Sequence, residues 1–311
     1  RTAPVAGGQW RGGGAPRYTV AMTTSDPCND ERCPGFDPGP VPNSQAFAVV
    51  IPRRAVDPRG MVRAAEVWRM AQEAAVQAMV ELGWSPELLR DAQVAFVVSD
   101  MTVVHHRQAA YGERIRARTW VRDVRRATLV GRAIRLWSSE GPISTITQRW
   151  AHVSWTGPDA LQVCAASAEI LAAMPPAVGA KAFGPAALPA VVRPVAGPQF
   201  GFRFEVWHTW MDPIGHVNHP SYLDFLDEAL CRQVAKHGGD PQQIDAVAER
   251  LRFRQAATAG QCLAAELRCV GLTDAGDAVL EGRVVRVDDG AELIRATLVR
   301  SFPDAAALLT R

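Results

Sequence analysis

The sequence predicts an α+β protein made of two tandem copies of one unit, each an antiparallel sheet around a long central helix. Its 311 residues suggest two domains at roughly 150 residues each. Residues 202–239 align with residues 47–84 without a gap, and residues 253–257 align with residues 106–110. In both copies a strand pattern is followed by a helical pattern and then by several strand patterns. Because an internal repeat constrains architecture before other signals do, we predict two similar domains.

The first copy is predicted to span residues 46–156. Residues 47–51 show a short apolar strand pattern. Apolar residues recur at three- and four-residue spacing over residues 63–82, which predicts a helix that ends at Gly83. Strand patterns follow at residues 93–104, 114–122, 127–137 and 143–155. Apolar side chains alternate with arginines along residues 114–122, so we expect one buried and one solvated sheet face.

The second copy is predicted to span residues 201–303. A connector rich in proline and alanine precedes it over residues 157–200, with a short helix at residues 165–173. Pro220 is placed to lie in the first turn of a helix that follows a strand at residues 202–206. Strand patterns follow at residues 247–255, 261–271, 277–288 and 292–302. We expect the two helices to lie side by side under one continuous sheet.

Composition argues against several functions. A formal net charge of +2 gives no argument for binding nucleic acid or an anionic membrane. No apolar run approaches the ~18–20 residues of a membrane span. The six cysteines are scattered, and Cys28 and Cys33 lack the further ligands of a zinc site. We therefore expect no metal and no cofactor, and a cytoplasmic location, with import into an organelle left open.

Neither end of the chain shows a core pattern. Residues 1–45 are rich in glycine and proline and are predicted to be a disordered tail. Met22 is a possible translation start, which leaves open whether residues 1–21 are native. Residues 304–311 are predicted to form a short C-terminal tail.

The residues suited to chemistry lie just before the predicted helix of the second copy. Asp212 could attack a carbonyl carbon or activate water. Free N–H groups at the helix N-terminus could polarise a carbonyl oxygen. His216 could orient the carboxylate or donate to that oxygen, and Asn218 could hold the loop or a water molecule.

The same segment resembles the signature of the hotdog-fold thioesterases, in which glycine, valine and tyrosine follow an aspartate. Asp212, Gly215, Val217 and Tyr222 occupy these positions. The segment is also similar to 4-hydroxybenzoyl-CoA thioesterase, and residues 215–218 are similar to acyl-ACP thioesterases, which are tandem double hotdogs. The resemblance covers residues 46–303 and implies two tandem hotdog domains, each an antiparallel sheet wrapped around a long central helix.

The resemblance also implies an activity, namely hydrolysis of an acyl-CoA or acyl-ACP thioester to a free acid and a thiol. It implies Asp212 and His216 as catalytic residues, and we add Asn218 as the third because it could hold the loop or a water molecule. The substrate-binding residues expected from it and from the helical pattern are Gly215, Val217, His219, Tyr222, Val67 and Ala71. Ile214 and Ala256-Ala257 depart from the acyl-ACP pattern of an asparagine and a Glu-Cys pair, so the full catalytic set of that group is not carried over.

The first copy is predicted to have lost its site and to supply a helix that walls the acyl pocket. It carries Met61, Arg63 and Val67 where the second copy carries His216, Asn218 and Tyr222. Such a chain would be a pseudo-dimer, and a further homodimer stays open. Arginines along one strand could meet CoA phosphates or an acidic carrier protein, or could simply be solvated: Arg114, Arg116, Arg118, Arg122, Arg125 and Arg126.

Other interpretations remain open at this point. Asp212 could be only a helix cap, Tyr222 could be core packing, and Asp57 could be a turn residue. A hotdog hydratase or dehydratase is an alternative, although its Asp-x-Asn-Pro-x-His arrangement is absent from the sequence. A non-catalytic acyl-binding protein is another, because Ile214 and Ala256 occupy positions where polar residues are expected. Acyl chain length and the identity of the carrier are not predicted.

Overall fold

The computed structural model describes residues 44–155, 161–178 and 184–309. The predicted tail at residues 1–45 lies outside the described residues except for its last two, as do Cys28 and Cys33 of the rejected zinc site. Residues 310–311 of the predicted C-terminal tail also lie outside them. Within the described parts, two halves of the chain have the same order of elements, namely a strand, a long helix and four long strands.

The first half begins with β1 (Ser44–Val50) and the long helix α1 (Ala64–Glu81), followed by the short helix α2 (Pro86–Asp91). Its four long strands are β2 (Val94–His105), β3 (Arg114–Arg125), β4 (Leu129–Ser138) and β5 (Gly141–Trp155). The predicted strands and long helix are all present within a few residues of their expected bounds. Helix α2 was not predicted, although Ser85 caps it by accepting a hydrogen bond from the Leu88 N–H at 3.4 Å.

The connector holds three short elements, β6 (Leu161–Val163), α3 (Ala168–Ala173) and β7 (Arg193–Pro194). The second half then comprises β8 (Gln199–Glu205), α4 (Ser221–Lys236), β9 (Asp245–Phe253), β10 (Cys262–Leu272), β11 (Ala278–Arg286) and β12 (Glu292–Ser301). A last helix, α5 (Ala305–Leu309), follows. The predicted tail at residues 304–311 is therefore partly helical, because Ala305 and Leu309 are buried against the core.

One antiparallel sheet of twelve strands spans both halves. Its strand order is β1-β3-β4-β5-β2-β9-β12-β11-β10-β7, with β6 paired to β5 and β8 paired to β10. The halves join where β2 pairs with β9, for example Thr102 opposite Arg250 and Val104 opposite Ala248. This confirms the prediction of one continuous sheet. The junction brings side chains of the two halves into direct contact.

Helices α1 and α4 pack against each other and share one hydrophobic core with the inward face of the sheet. Trp68 and Ala71 of α1, and Leu223, Leu226 and Leu230 of α4, have no more than trace exposure. Burying each leucine stabilises the fold by roughly 2 kcal/mol. The core therefore holds the two helices and the sheet junction in a fixed arrangement around the residues between them.

The outer face of the first half is less solvated than predicted. Arg116 and Arg118 on β3 are buried, and Trp120 beside them is completely buried. The connector covers this face, since Ala177 packs on Trp120 and donates from its N–H to Val121 O at 2.9 Å. The expectation of a solvated arginine face is thus wrong for the middle of β3, and exposed guanidinium groups remain only towards its ends. Within the described residues, no helix has the length and apolarity required to cross a bilayer.

Candidate active site

A tight loop before α4 holds Asp212 in place. The Asp212 N–H donates to His216 O at 2.7 Å and the Gly215 N–H donates to Asp212 O at 3.0 Å. Gly215 has a φ of 82°, a left-handed conformation that glycine adopts without strain. One carboxylate oxygen, Asp212 Oδ1, accepts from the N–H groups of Ile214 (3.0 Å) and His216 (3.3 Å). The loop therefore fixes the carboxylate through a single oxygen.

The second oxygen, Asp212 Oδ2, accepts no hydrogen bond from the described residues. Burial raises the pKa of Asp212 above its ordinary value, and the two N–H donors and nearby His216 oppose that rise. An oriented carboxylate with one unengaged oxygen and a raised pKa is suited to accept a proton or attack a carbonyl carbon.

Asp212 lies on a cavity of about 570 Å³ formed by both halves of the chain. The second half contributes Ile214, His216, Val217, His219, Tyr222 and residues 253–256. The first half contributes Gln72 and Val76 of α1 and apolar side chains of β2, β5 and β6 that include Phe96, Val98, Trp150, Val153 and Leu161. Asp212 thus lies on a chamber with an apolar wall that is supplied by the other half of the molecule.

His219 packs near two aromatic side chains, Phe253 of the cavity lining and Trp68 of the core behind it. Its ring is 6.1 Å from that of Trp68 and 5.8 Å from that of Phe253, centroid to centroid. Burial, with a smaller contribution from Arg69, lowers the pKa of His219 to about 3, so the ring is neutral at physiological pH. Its Nε2 atom is buried and has no hydrogen-bond partner among the described residues. A buried polar atom in this position is available to a bound ligand.

The backbone around His219 offers a donor. From Asp212 to Leu223, the N–H groups other than that of His219 donate to acceptors within the loop or to nearby backbone, as Val217 does to Ala257 O at 2.9 Å. The His219 N–H has no acceptor among the described residues. It lies just before the N-terminus of α4, where the helix dipole favours negative charge. This N–H could stabilise a developing oxyanion.

Two other predicted residues support the loop. The Tyr222 hydroxyl accepts from the Ala257 N–H at 3.0 Å, so Tyr222 lines the cavity and also secures the segment that carries Ala256. Asn218 does not line the cavity. Its N–H donates to Trp210 O at 2.9 Å and its carbonyl accepts from the Ser221 N–H, also at 2.9 Å. The structure thus gives Asn218 a loop contact and does not bring it beside Asp212 in the cavity.

The predicted wall residues of α1 lie elsewhere. Val67 and Ala71 are buried in the core and do not line the cavity, whereas Gln72 and Val76 do. The helical pattern gives the buried face of α1 but not the edge of that face that borders the cavity. Gln72 and Val76 could have been identified only once the position of α1 against β2 and β5 was known.

The first half has a corresponding loop, in which the partners of the aspartate carboxylate are different. Asp57 Oδ1 accepts from the N–H groups of Arg59 (2.9 Å) and Met61 (3.0 Å), as Asp212 Oδ1 does in its own loop. Asp57 Oδ2, however, forms an ion pair with the Arg59 guanidinium at 2.9 Å, and Arg59 also pairs with Asp245 at 2.8 Å. The oxygen that is unengaged in Asp212 is therefore occupied in Asp57.

A second cavity, of about 800 Å³, lies beside Asp57. Asp227 and Cys231 of α4 line it at the positions that correspond to Gln72 and Val76 of α1. Arg300 is there as well, and it pairs with Asp227 at 3.0 Å. This cavity has the same place in its half as the Asp212 cavity. Charged residues line it together with apolar ones such as Phe204, Trp210 and Phe225.

Residues 65–143 match the family model of the thioesterase superfamily. Solved structures of similar shape span most of the chain. A putative oleoyl thioesterase from Lactobacillus plantarum is 17% identical, with a TM-score of 0.68, over 83% of this chain and 96% of that one. The 12:0-ACP thioesterase from Umbellularia californica is 14% identical, with a TM-score of 0.63, over 83% of this chain and 94% of that one.

This chain has the hotdog fold of the thioesterases. An acyl-ACP thioesterase from Bacteroides thetaiotaomicron has it too, at 14% identity and a TM-score of 0.60, over 83% of this chain and 98% of that one. The predicted resemblance to the thioesterase superfamily is confirmed by the family match, which lies in the first half, and by the fold shared over most of the chain. No curated protein matches this chain at a significant level.

Proposed function

We propose that this protein is an acyl thioesterase that hydrolyses an acyl-CoA or acyl-ACP to a free acid and a thiol. The observation that carries the proposal is the unengaged oxygen of Asp212, a residue that lines the same cavity as His219, whose backbone N–H has no acceptor among the described residues. The proposal includes a tandem arrangement of two hotdog domains. The second domain carries the chemistry, and the first has a degenerate site and walls the acyl pocket.

The proposed chemistry uses two groups of the protein. The His219 N–H binds the thioester carbonyl oxygen and stabilises the negative charge that develops on it. Asp212 Oδ2 either removes a proton from water, which adds to the carbonyl carbon, or adds to that carbon itself. In either route the carbon–sulfur bond breaks, the thiolate takes up a proton, and the acid is released. Direct attack requires a second step in which water cleaves the acyl-aspartate anhydride.

The substrate is oriented by the two kinds of surface that line the cavity. Phe96, Val98 and Trp150 provide an apolar chamber for the acyl tail. Arg254 and Arg286 line the same cavity and are partly exposed, at 54% and 21% of their side-chain area. Each also pairs through Nε with a carboxylate, Glu292 at 3.1 Å and Asp289 at 3.0 Å. Their guanidinium groups suit the phosphates of a CoA or phosphopantetheine carrier.

A thiol-release assay tests the proposal. Acyl-CoA and acyl-ACP substrates of stepped chain length are incubated with the protein, and the free thiol is measured continuously. We expect turnover with at least one carrier and a preference among chain lengths. Crotonyl-CoA is included because hydration without thiol release would identify the hydratase alternative.

Besides thiol release and hydration, the assay can show binding without reaction. An acyl-CoA that binds tightly and is recovered intact after long incubation would support the non-catalytic alternative and reject hydrolysis. Single turnover in ¹⁸O-labelled water then separates the two routes of a working enzyme. Label in the Asp212 carboxylate identifies direct attack with cleavage of the anhydride at the aspartyl carbon. Label only in the product acid identifies activation of water if mass spectrometry of the quenched enzyme also finds no acyl-Asp212 adduct.

A further inference from the structure

A buried polar network lies between the two cavities, at the junction of the two halves. Its centre is Glu249 on β9, which has no exposed area. Glu249 Oε1 accepts from Trp68 Nε1 at 2.9 Å and contacts His105 Nε2 at 2.8 Å. Glu249 Oε2 accepts from Arg300 at 2.8 Å, and Arg300 also pairs with Asp227 in the cavity beside Asp57.

Such a network is costly unless each charge is paired. Burial alone would raise the pKa of Glu249, but His105 and Arg300 lower it to about 2, so the carboxylate is ionised. Removing one member would leave the others buried without a partner. Glu249 therefore holds the Trp68 indole in one orientation through a charge-assisted hydrogen bond.

Trp68 connects this network to the proposed active site. Its ring is completely buried and packs at 6.1 Å from the ring of His219, tilted by 53°. It also meets Phe253 edge-on at 6.5 Å, and Phe253 contacts both His219 and Tyr222. The ring of Trp68 thus forms the wall against which His219 rests.

We infer that Glu249 is a positioning residue for the proposed active site in the Asp212 cavity. By fixing Trp68, it fixes His219 and the backbone N–H that His219 carries. Asp227 and Arg300, which fill the degenerate site, in turn secure Glu249. Charged residues of the second half that line the cavity beside Asp57 thereby support the proposed active site in the Asp212 cavity. This inference rests on the proposed function of the Asp212 cavity.

The kinetic test uses Glu249→Gln and Trp68→Phe, with Trp120→Phe as the matched control. Trp120 is a fully buried tryptophan on the outer face of the sheet, away from the Asp212 cavity. We expect kcat to fall about 3- to 10-fold in both test variants, with KM within about twofold, and Trp120→Phe to stay within about twofold. The double variant should lose no more than the worse single variant, because both changes act through one contact.

A second measurement needs no turnover. In the wild type, the ring current of Trp68 shifts the proton resonances of the His219 imidazole, and Glu249→Gln should move them. Unmoved resonances, or a kcat loss in Trp120→Phe as large as in the test variants, would overturn the inference. A wild type that shows these shifts but releases no thiol would instead reject the proposed function. If Glu249→Gln does not fold, Trp68→Phe carries the kinetic test alone.

Discussion

In the loops that carry Asp57 and Asp212, the backbone binds the carboxylate in the same way, but the second carboxylate oxygen has different surroundings. In each, one carboxylate oxygen accepts two N–H groups of the loop, at distances between 2.9 and 3.3 Å. Arg59 neutralises the second oxygen of Asp57, and Ile214 at the corresponding position leaves that of Asp212 without a charged partner. The comparison shows that the same turn can hold an aspartate whose outer oxygen is paired, and we therefore expect no chemistry from Asp57.

The two cavities differ in the charges that line them. Where Gln72, Val76 and Val153 line the Asp212 cavity, Asp227, Cys231 and Arg300 line the other. The Asp57 cavity nevertheless keeps a large apolar surface that includes Phe204, Trp210 and Phe225. The pairing of the second Asp57 oxygen is therefore the sharper difference between the two sites.

The largest expected effect separates the two aspartates directly. Asp212→Asn should lower kcat by roughly 100- to 10,000-fold, the usual contribution of a positioned base. Asp57→Asn should leave kcat within about threefold, because the Asp57 carboxylate is already paired. Thiol release by both variants is the measurement. Equal losses in the two would show two working sites and remove the contrast between the halves.

The next prediction introduces into the Asp212 loop an arginine like Arg59, which pairs with Asp57. Ile214→Arg should place a guanidinium beside Asp212 Oδ2, as Arg59 is placed beside Asp57, and lower kcat by about 10- to 100-fold. Ile214→Met is the uncharged control and should retain most of the activity. Full activity in Ile214→Arg would mean that the free oxygen is not what distinguishes the loops. Arg59→Ile alone should not restore a second site, since the charged lining of that cavity remains.

A smaller effect is expected on chain-length preference. Val76→Phe should reduce the space for the acyl tail and lower activity on long chains about 10-fold relative to short ones. Cys231→Phe, at the corresponding position of α4, should leave the preference unchanged. Ala71→Phe would instead overfill the core and cost about 1–3 kcal/mol of stability. A uniform loss on every chain length in Val76→Phe would place the acyl tail elsewhere.

The smallest effect concerns acid stability. A carboxylate whose folded pKa lies below its unfolded value of about 4.3 stabilises the fold above that pH and loses this contribution as pH falls towards the folded value. Glu249, with its folded pKa of about 2, should therefore stabilise the wild type less and less between about pH 4.5 and pH 2. Glu249→Gln should show a flatter dependence of the unfolding free energy on pH in this range. Glu228→Gln, on the exposed face of α4, is the control, and an equal flattening in it would exclude Glu249 as the source.

The sequence by itself determined the order of elements and the loop that holds the proposed chemistry. The periods of apolar residues gave two long helices and two runs of strands, because these periods reflect which side chains face the core. The spacing from Asp212 to Tyr222 indicated the loop, because Gly215 and the start of α4 are set by neighbours in the chain. The alignment of the two copies also showed that Met61 replaces His216.

Only the tertiary structure decided what surrounds that loop. Val76, Phe96 and Trp150 reach the Asp212 cavity because β2 joins β9 and α1 packs beside α4, which no local pattern encodes. For the same reason the sequence pointed to Val67 and Ala71, which face the core. The pairing of Arg59 with Asp57 and of Glu249 with Trp68 depends on side-chain directions and distances within the folded chain. Local periodicity tells which side of a helix is buried, whereas packing between distant segments decides which buried atoms meet.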